Sequence, residues 1–149
     1  MAGVLWSLLG VLAGAFVAIQ APVNAQLARG LGMPVAAAAV SFLAGAIVLG
    51  IIAYFTARAQ GVSVDWRAPA PWLFAAGGCL GAVYVTSSVL LTPRIGAAAL
   101  VAFLVTGQLL ASVIVDRAGY FGVAVRELSM GRIVGAMLLL AGAMMIRIY

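Results

Sequence analysis

Five long apolar segments leave this chain few folds to choose from. They run from about Gly3 to Arg29, Pro34 to Ala57, Pro71 to Leu91, Gly96 to Val115 and Met130 to Ile148. Each approaches the ~20 residues a helix needs to cross ~30 Å of hydrocarbon. No water bonds the backbone inside a bilayer, so a spanning segment must be a helix or part of a closed barrel. Barrel strands alternate apolar and polar residues over ~10 positions, and these runs are unbroken. The chain is therefore expected to be all-α, a polytopic membrane protein with one five-helix transmembrane domain over its 149 residues. Composition agrees. Charged residues make up 7% of the chain, against about 25% in soluble domains. That is too little to cover an outer surface in water.

The few charges inform by position. All eight basic residues are Arg, and the net charge is +5. A nucleic-acid interface would cluster them. Here they stand singly at the ends of apolar runs, where membrane anchoring and loop-charge bias place them. Membrane lipid is the expected surrounding partner, and nucleic acid is not. With an odd number of spans, the termini lie on opposite sides. Arg58, Arg67, Arg117, Arg126 and Arg132 fall on the N-terminal side, and Arg29, Arg94 and Arg147 on the other. The bias favours an N-terminus inside and is small enough to be compatible with insertion in both orientations. The first segment lacks the basic stretch of a cleaved signal peptide and is expected to be a retained span. Cys79 is the only cysteine, so it forms no disulfide within the chain and is expected as a small core residue. With no His and one Cys, neither a metal site nor a cofactor is expected.

Helices in lipid meet through small residues that let backbones approach. The first span carries Gly3, Ser7, Gly10, Gly14 and Ala18 at steps of four and three. Gly77 and Gly81 repeat the device in the third span, where the stripe continues to Tyr84 and Ser88. Gly131, Gly135 and Gly142 share one face of the fifth. Such stripes serve packing within one chain or against a second copy, and the fifth helix is the foremost candidate for the second role.

Polar residues within the spans are few. Gln20 and Asn24 are four apart and share a helix face, as do Gln108, Ser112 and Asp116. Tyr84, Ser87 and Ser88 cluster in the third span. The Ser87, Ser88 and Ser112 hydroxyls are expected to bond their own helix carbonyls or a neighbouring helix. For Gln20, Asn24 and Gln108 two readings stand: glue between helices, or the lining of a water-filled cavity. A buried amide needs partners for its donors and its acceptor, and either arrangement supplies them. Tyr84 lines the same cavity or packs in the core. Asp116 is expected to pair with its neighbour Arg117. Arg94 is read as a positive loop anchor, or as a contact for an anionic group entering from its side. No acid lies at mid-membrane, where transporters usually place a proton relay. No nucleophile or acid–base pair is in reach there, so an enzyme is not expected.

The stretch "IQAPVNAQLARG", residues 19–30, decides where the first helix ends. Pro22 has no N–H and clashes with the carbonyl four residues earlier, on Ala18. If the helix continues, Pro22 kinks it and frees an acceptor between Gln20 and Asn24. Arg29 then falls in the last turn and Gly30 supplies the C-terminal cap. Continuation is the expectation.

The stretches "QAPVNAQLARGLG", "PWLFAAGGCLGAVYV", "TPRIGAAALVAFLVTGQLLASVIVDRAGYFG" and "RIVGAMLLLAGAMMI" resemble the YdcZ-type inner-membrane exporters of the drug/metabolite transporter superfamily. The last also resembles the terminal helix of small multidrug transporters, whose glycines seven apart form a dimer contact; here they are Gly135 and Gly142. The resemblance implies a multi-pass protein of the bacterial inner membrane. It also implies a five-helix half of an inverted-repeat transporter fold. Larger relatives join two such halves in one chain, so a single half would pair with a second copy or a paralogue, antiparallel. Small multidrug transporters carry an essential glutamate in the first helix. This chain has Gln20 and Asn24 there and no acid, so proton-driven export of cationic drugs does not carry over.

The expected function is that of a small-molecule transporter, a metabolite exporter. It would work as an antiparallel homodimer or heterodimer, by alternating access around a site near mid-membrane. Gln20 and Asn24 lead the substrate-binding candidates, followed by Tyr84, Gln108 and Ser88, with Pro22 as the kink. Gly10, Gly14, Gly77, Gly81, Gly135 and Gly142 are the packing or dimer candidates. A neutral or zwitterionic substrate suits a site with no buried compensating charge. The competing classes are a membrane assembly or scaffold subunit and a lipid flippase.

Overall fold

The computed structural model describes residues 2–122, 125, 127 and 129–148; Arg126 lies outside them. Among the described residues, five helices are long and apolar enough to cross a membrane, and there is no strand. They are α1 (Ala2–Leu31), α2 (Pro34–Gln60), α3 (Leu73–Ile95), α4 (Ala97–Ala118) and α5 (Met130–Ile148). The all-α, five-span expectation holds.

Helix ends follow backbone chemistry more closely than hydropathy. α1 continues through Pro22 as expected, but the cap is not Gly30. α1 reaches Leu31, and the left-handed residue is Gly32, at φ 68. Pro34 opens α2 and holds Met33 extended, at φ −145 and ψ 107, as a residue before proline prefers. The reversal therefore occupies Gly32 and Met33. α2 runs past Ala57 to Gln60, where Gly61 turns left-handed at φ 64. The Gly61 and Val62 amides then donate to the Arg58 and Ala57 carbonyls. α3 starts at Leu73 after a turn through Pro71 and Trp72. It passes Pro93 and ends at Ile95, and Gly96 at φ 79 stands between it and α4. α4 outlasts Val115 and is capped by Gly119, again left-handed.

The chain forms two compact units, one up to Pro93 and one from Arg94 onward. In the first, α1 and α2 pack together, reversed by their two-residue connection. Ala28, Ala37, Ala38, Val85 and Val89 form its core, with Leu27 and Tyr84 packed on them. Three alanines let the helices come close, which is where dispersion gains accrue in lipid. Gly81 of α3 faces Phe42 of α2; a Cβ there would stand 2.9 Å from the ring tip. Aromatic groups gather at the polar end of this unit, as at membrane interfaces generally. Arg58 lies 5.7 Å over the Tyr54 ring, and Trp66 stacks on Phe74 at 6.4 Å. In the second unit, α4 and α5 form an antiparallel hairpin.

No more than 17% of any span's most apolar window is buried within the chain. In lipid this carries no penalty. It leaves most of each helix free to meet lipid or another subunit.

Candidate functional site

The α1–α2 contact divides the two leading amides. Asn24 is 5% exposed, and its Nδ2 donates to Ser41 Oγ at 3.2 Å. This bond joins the helices. Gln20, one turn earlier, is exposed and has no hydrogen-bond partner among the described residues. It opens into a cleft of about 310 Å³ shared with Ser41, Phe42, Gly45 and Val85. Pro22 lies between the amides on the same helix and leaves the Ala18 carbonyl without its usual donor. The cleft thus offers an amide and a hydroxyl on apolar walls.

Ser41 is the residue that sequence reasoning missed. The signal was present: it is the only polar side chain in α2 between Pro34 and Ala53. Accepting from Asn24 leaves the Ser41 hydroxyl proton able to donate elsewhere.

The α3 candidates lie elsewhere in this unit. Tyr84 is half-buried against the alanine-rich core. Ser88 is buried, and its hydroxyl donates to the Tyr84 carbonyl at 2.8 Å, the local bonding expected of a membrane serine. Cys79 is exposed, not a core residue as expected. A thiol is apolar enough to face lipid as readily as a core.

In the second unit, Gln108 sits at the midpoint of α4, exposed and with no partner among the described residues. The nearby hydroxyls are satisfied locally. Thr106 donates to the Ala102 carbonyl at 2.8 Å, and Ser112 to that of Leu109 at 2.9 Å. Asp116 does not pair with Arg117. Its Oδ2 accepts from Nη1 of Arg132, on α5, at 3.4 Å. Successive residues on a helix do not face each other, whereas the α4–α5 hairpin sets Arg132 opposite Asp116. Two clefts flank this pair. One of about 200 Å³ is lined by Thr106, Leu110, Arg132, Ala136 and Leu140. The other, about 290 Å³, is lined by Ser112, Asp116, Arg132 and Gly135.

Of the six packing glycines, Gly81 alone would press an added Cβ on a described neighbour. Gly10, Gly14, Gly77, Gly135 and Gly142 have nothing within 4 Å of that position. Among the described residues no group of three metal-ligating side chains gathers.

Five apolar spans, with uncharged polar groups in their middles and charges at their ends, define a multi-pass membrane protein with a cleft between helices. The chain belongs to the family described as "Putative inner membrane exporter, YdcZ", whose model matches residues 5–145. It is therefore a multi-pass inner-membrane protein of an exporter family. No curated protein and no solved structure matches the chain.

Proposed function

We propose that the chain exports a small neutral or zwitterionic metabolite as one half of an antiparallel dimer working by alternating access. Gln20 carries this reading. It lies about 5 Å past the midpoint of α1, lines a cleft with Ser41, and has no partner among the described residues. An amide left unbonded at that depth costs several kcal/mol. Water or substrate in the cleft would supply what the chain does not. The cleft's polar groups carry no formal charge, which favours an uncharged or internally compensated substrate.

Gln108 supports the second subunit by the same logic. It sits at mid-span on an exposed face. In a dimer whose two-fold axis lies in the membrane plane, residues at mid-depth are those able to meet their own counterparts. Two glutamines can each donate Nε2–H to the other's Oε1. Cys79→Ser combined with Gln108→Cys should give an oxidatively cross-linked dimer in membranes. A monomeric product under full oxidation would reject this contact.

The site is tested in liposomes containing purified protein, by counterflow of labelled zwitterionic amino acids and neutral sugars. Gln20→Leu should lower transport by about tenfold, the loss of one good hydrogen bond, at nearly unchanged melting temperature. Unchanged transport removes Gln20 from the site. The Asn24–Ser41 bond favours a second reading, in which the amides only join helices and the chain is an assembly subunit. Under it, Gln20→Leu would change stability and no probe would be transported.

A further inference from the structure

Arg132 stands where the two α4–α5 clefts meet. Its Nη1 donates to Asp116 at 3.4 Å, and the side chains of the pair remain 32% and 28% exposed. A guanidinium has five N–H donors in a fixed fork, and most of them meet no acceptor among the described residues. Arg132 is the third residue of α5, placing its head at the depth of lipid phosphates, toward which membrane arginines extend. The positive end of the α5 dipole adds to the same field.

The smaller cleft descends from this head. It follows α5 past Ala136 to Leu140, with Leu110 and Thr106 opposite. The step from Arg132 to Leu140 covers ~12 Å along the helix axis. Thr106 is the polar residue at the deep end, and its hydroxyl is already committed to the Ala102 carbonyl. The deep wall therefore presents apolar chemistry, while the shallow end presents unused cationic donors. Arg117, in the last turn of α4, has no partner among the described residues. From Asp116 to Arg132 the sequence carries three arginines (Arg117, Arg126, Arg132) and two acids (Asp116, Glu127), a formal charge of +1 at this end.

The geometry points to a resident anionic phospholipid, its phosphate on Arg132 and one acyl chain in the α4–α5 cleft. Charge order and depth order both match: anion at the interface, hydrocarbon ~12 Å inward. Basic pockets between membrane helices hold anionic head groups in this way. The inference goes beyond the transport reading and does not depend on it.

The test uses the full chain, purified in detergent, with phosphatidylglycerol or phosphatidylcholine of identical acyl chains. Native mass spectrometry reads retained lipid, and thermal melting reads stabilisation. The wild type should retain phosphatidylglycerol about fivefold over phosphatidylcholine, as one arginine at a membrane surface provides. Arg132→Gln should abolish the preference. Ala136→Trp, which fills the cleft and keeps every charge, should abolish retention of both lipids, so the proposal stays testable if Arg132→Gln fails to fold. Arg147→Gln, at the other end of α5, should leave the preference intact. Equal retention of the two lipids by the wild type overturns the proposal. So does a preference that survives either cleft substitution. Stabilisation by inorganic phosphate equal to that by phosphatidylglycerol also overturns it, because the acyl groove would then play no part.

Discussion

The α1–α2 and α4–α5 contacts are both antiparallel helix pairs, yet different chemistry ties them. α1 and α2 are tied by a neutral amide–hydroxyl bond, Asn24 to Ser41. α4 and α5 are tied by an ion pair, Asp116 with Arg132. Depth separates the two. Ser41 is the eighth residue of α2, ~10 Å inside its start. Asp116 and Arg132 each stand two residues from a helix end. A charge at the bilayer centre costs ~2.5–3.5 kcal/mol or more, whereas an amide there needs only partners. At the helix ends water and head groups reach the side chains, and charges are tolerated. The membrane thus sorts polar residues by depth, and a polar group without a partner stands out most where the sorting is strictest. Among the described residues, Gln20 and Gln108 are such groups.

The largest expected effect tests whether glycines in the two units are equally crowded within one chain. Gly81→Leu drives a side chain into Phe42 and should cost about 1–3 kcal/mol, as overpacking does. Gly81→Ala should cost little, because the ring tip of Phe42 can swing aside. Gly135→Leu, in the other unit, meets nothing within 4 Å and should leave the detergent melting temperature of the monomer unchanged. If Gly135→Leu weakens association while sparing the monomer, α5 carries the subunit contact. A large loss of monomer stability at Gly135 would break the comparison and mean that α5 is as crowded at Gly135 as α3 is at Gly81.

A smaller effect separates the amides of α1. Asn24→Leu removes the bond to Ser41 and should lower stability by about 0.6 kcal/mol, the average for hydrogen bonds between membrane helices, and by no more than about 1.7 kcal/mol. Gln20→Leu should change melting far less, because no described partner loses a bond. Thermal melting of the two single variants in one detergent checks this. Equal shifts would place both amides in the same structural role and remove the case for Gln20 as a cleft residue.

The five helices were legible because crossing a bilayer requires ~20 apolar residues and little else in a sequence produces such runs. The passage of α1 through Pro22 was legible too: stopping there would have left a long loop before Pro34. Cap positions were harder. Gly30 and Gly32 are both suitable in type, and the choice turned on how tightly Met33 and Pro34 hold the backbone. The site was legible only in part. The spacing of Gln20 and Asn24 showed a shared face but not which amide would find a partner, since that partner lies on another helix. Ser41 fixes the division, and its isolation in α2 was the available clue. Asp116 misled for the opposite reason: Arg117 adjoins it in sequence, but helix geometry turns the two side chains apart.

The smallest expected effect concerns the ion pair itself. Asp116 and Arg132 are each close to a third exposed, so water screens them, and their coupling should stay below about 1 kcal/mol. A double-mutant cycle with Asp116→Asn and Arg132→Gln in detergent measures it. The coupling should shrink further as salt is raised toward 1 M, where the screening length falls to ~3 Å. The Asn24–Ser41 bond, which involves no net charge, should show no comparable salt dependence. A strong, salt-insensitive coupling between Asp116 and Arg132 would mean that the pair is shielded from water in the membrane. Depth alone would then not explain the difference between the two helix pairs, and a covering group, lipid or second subunit, would have to be part of it.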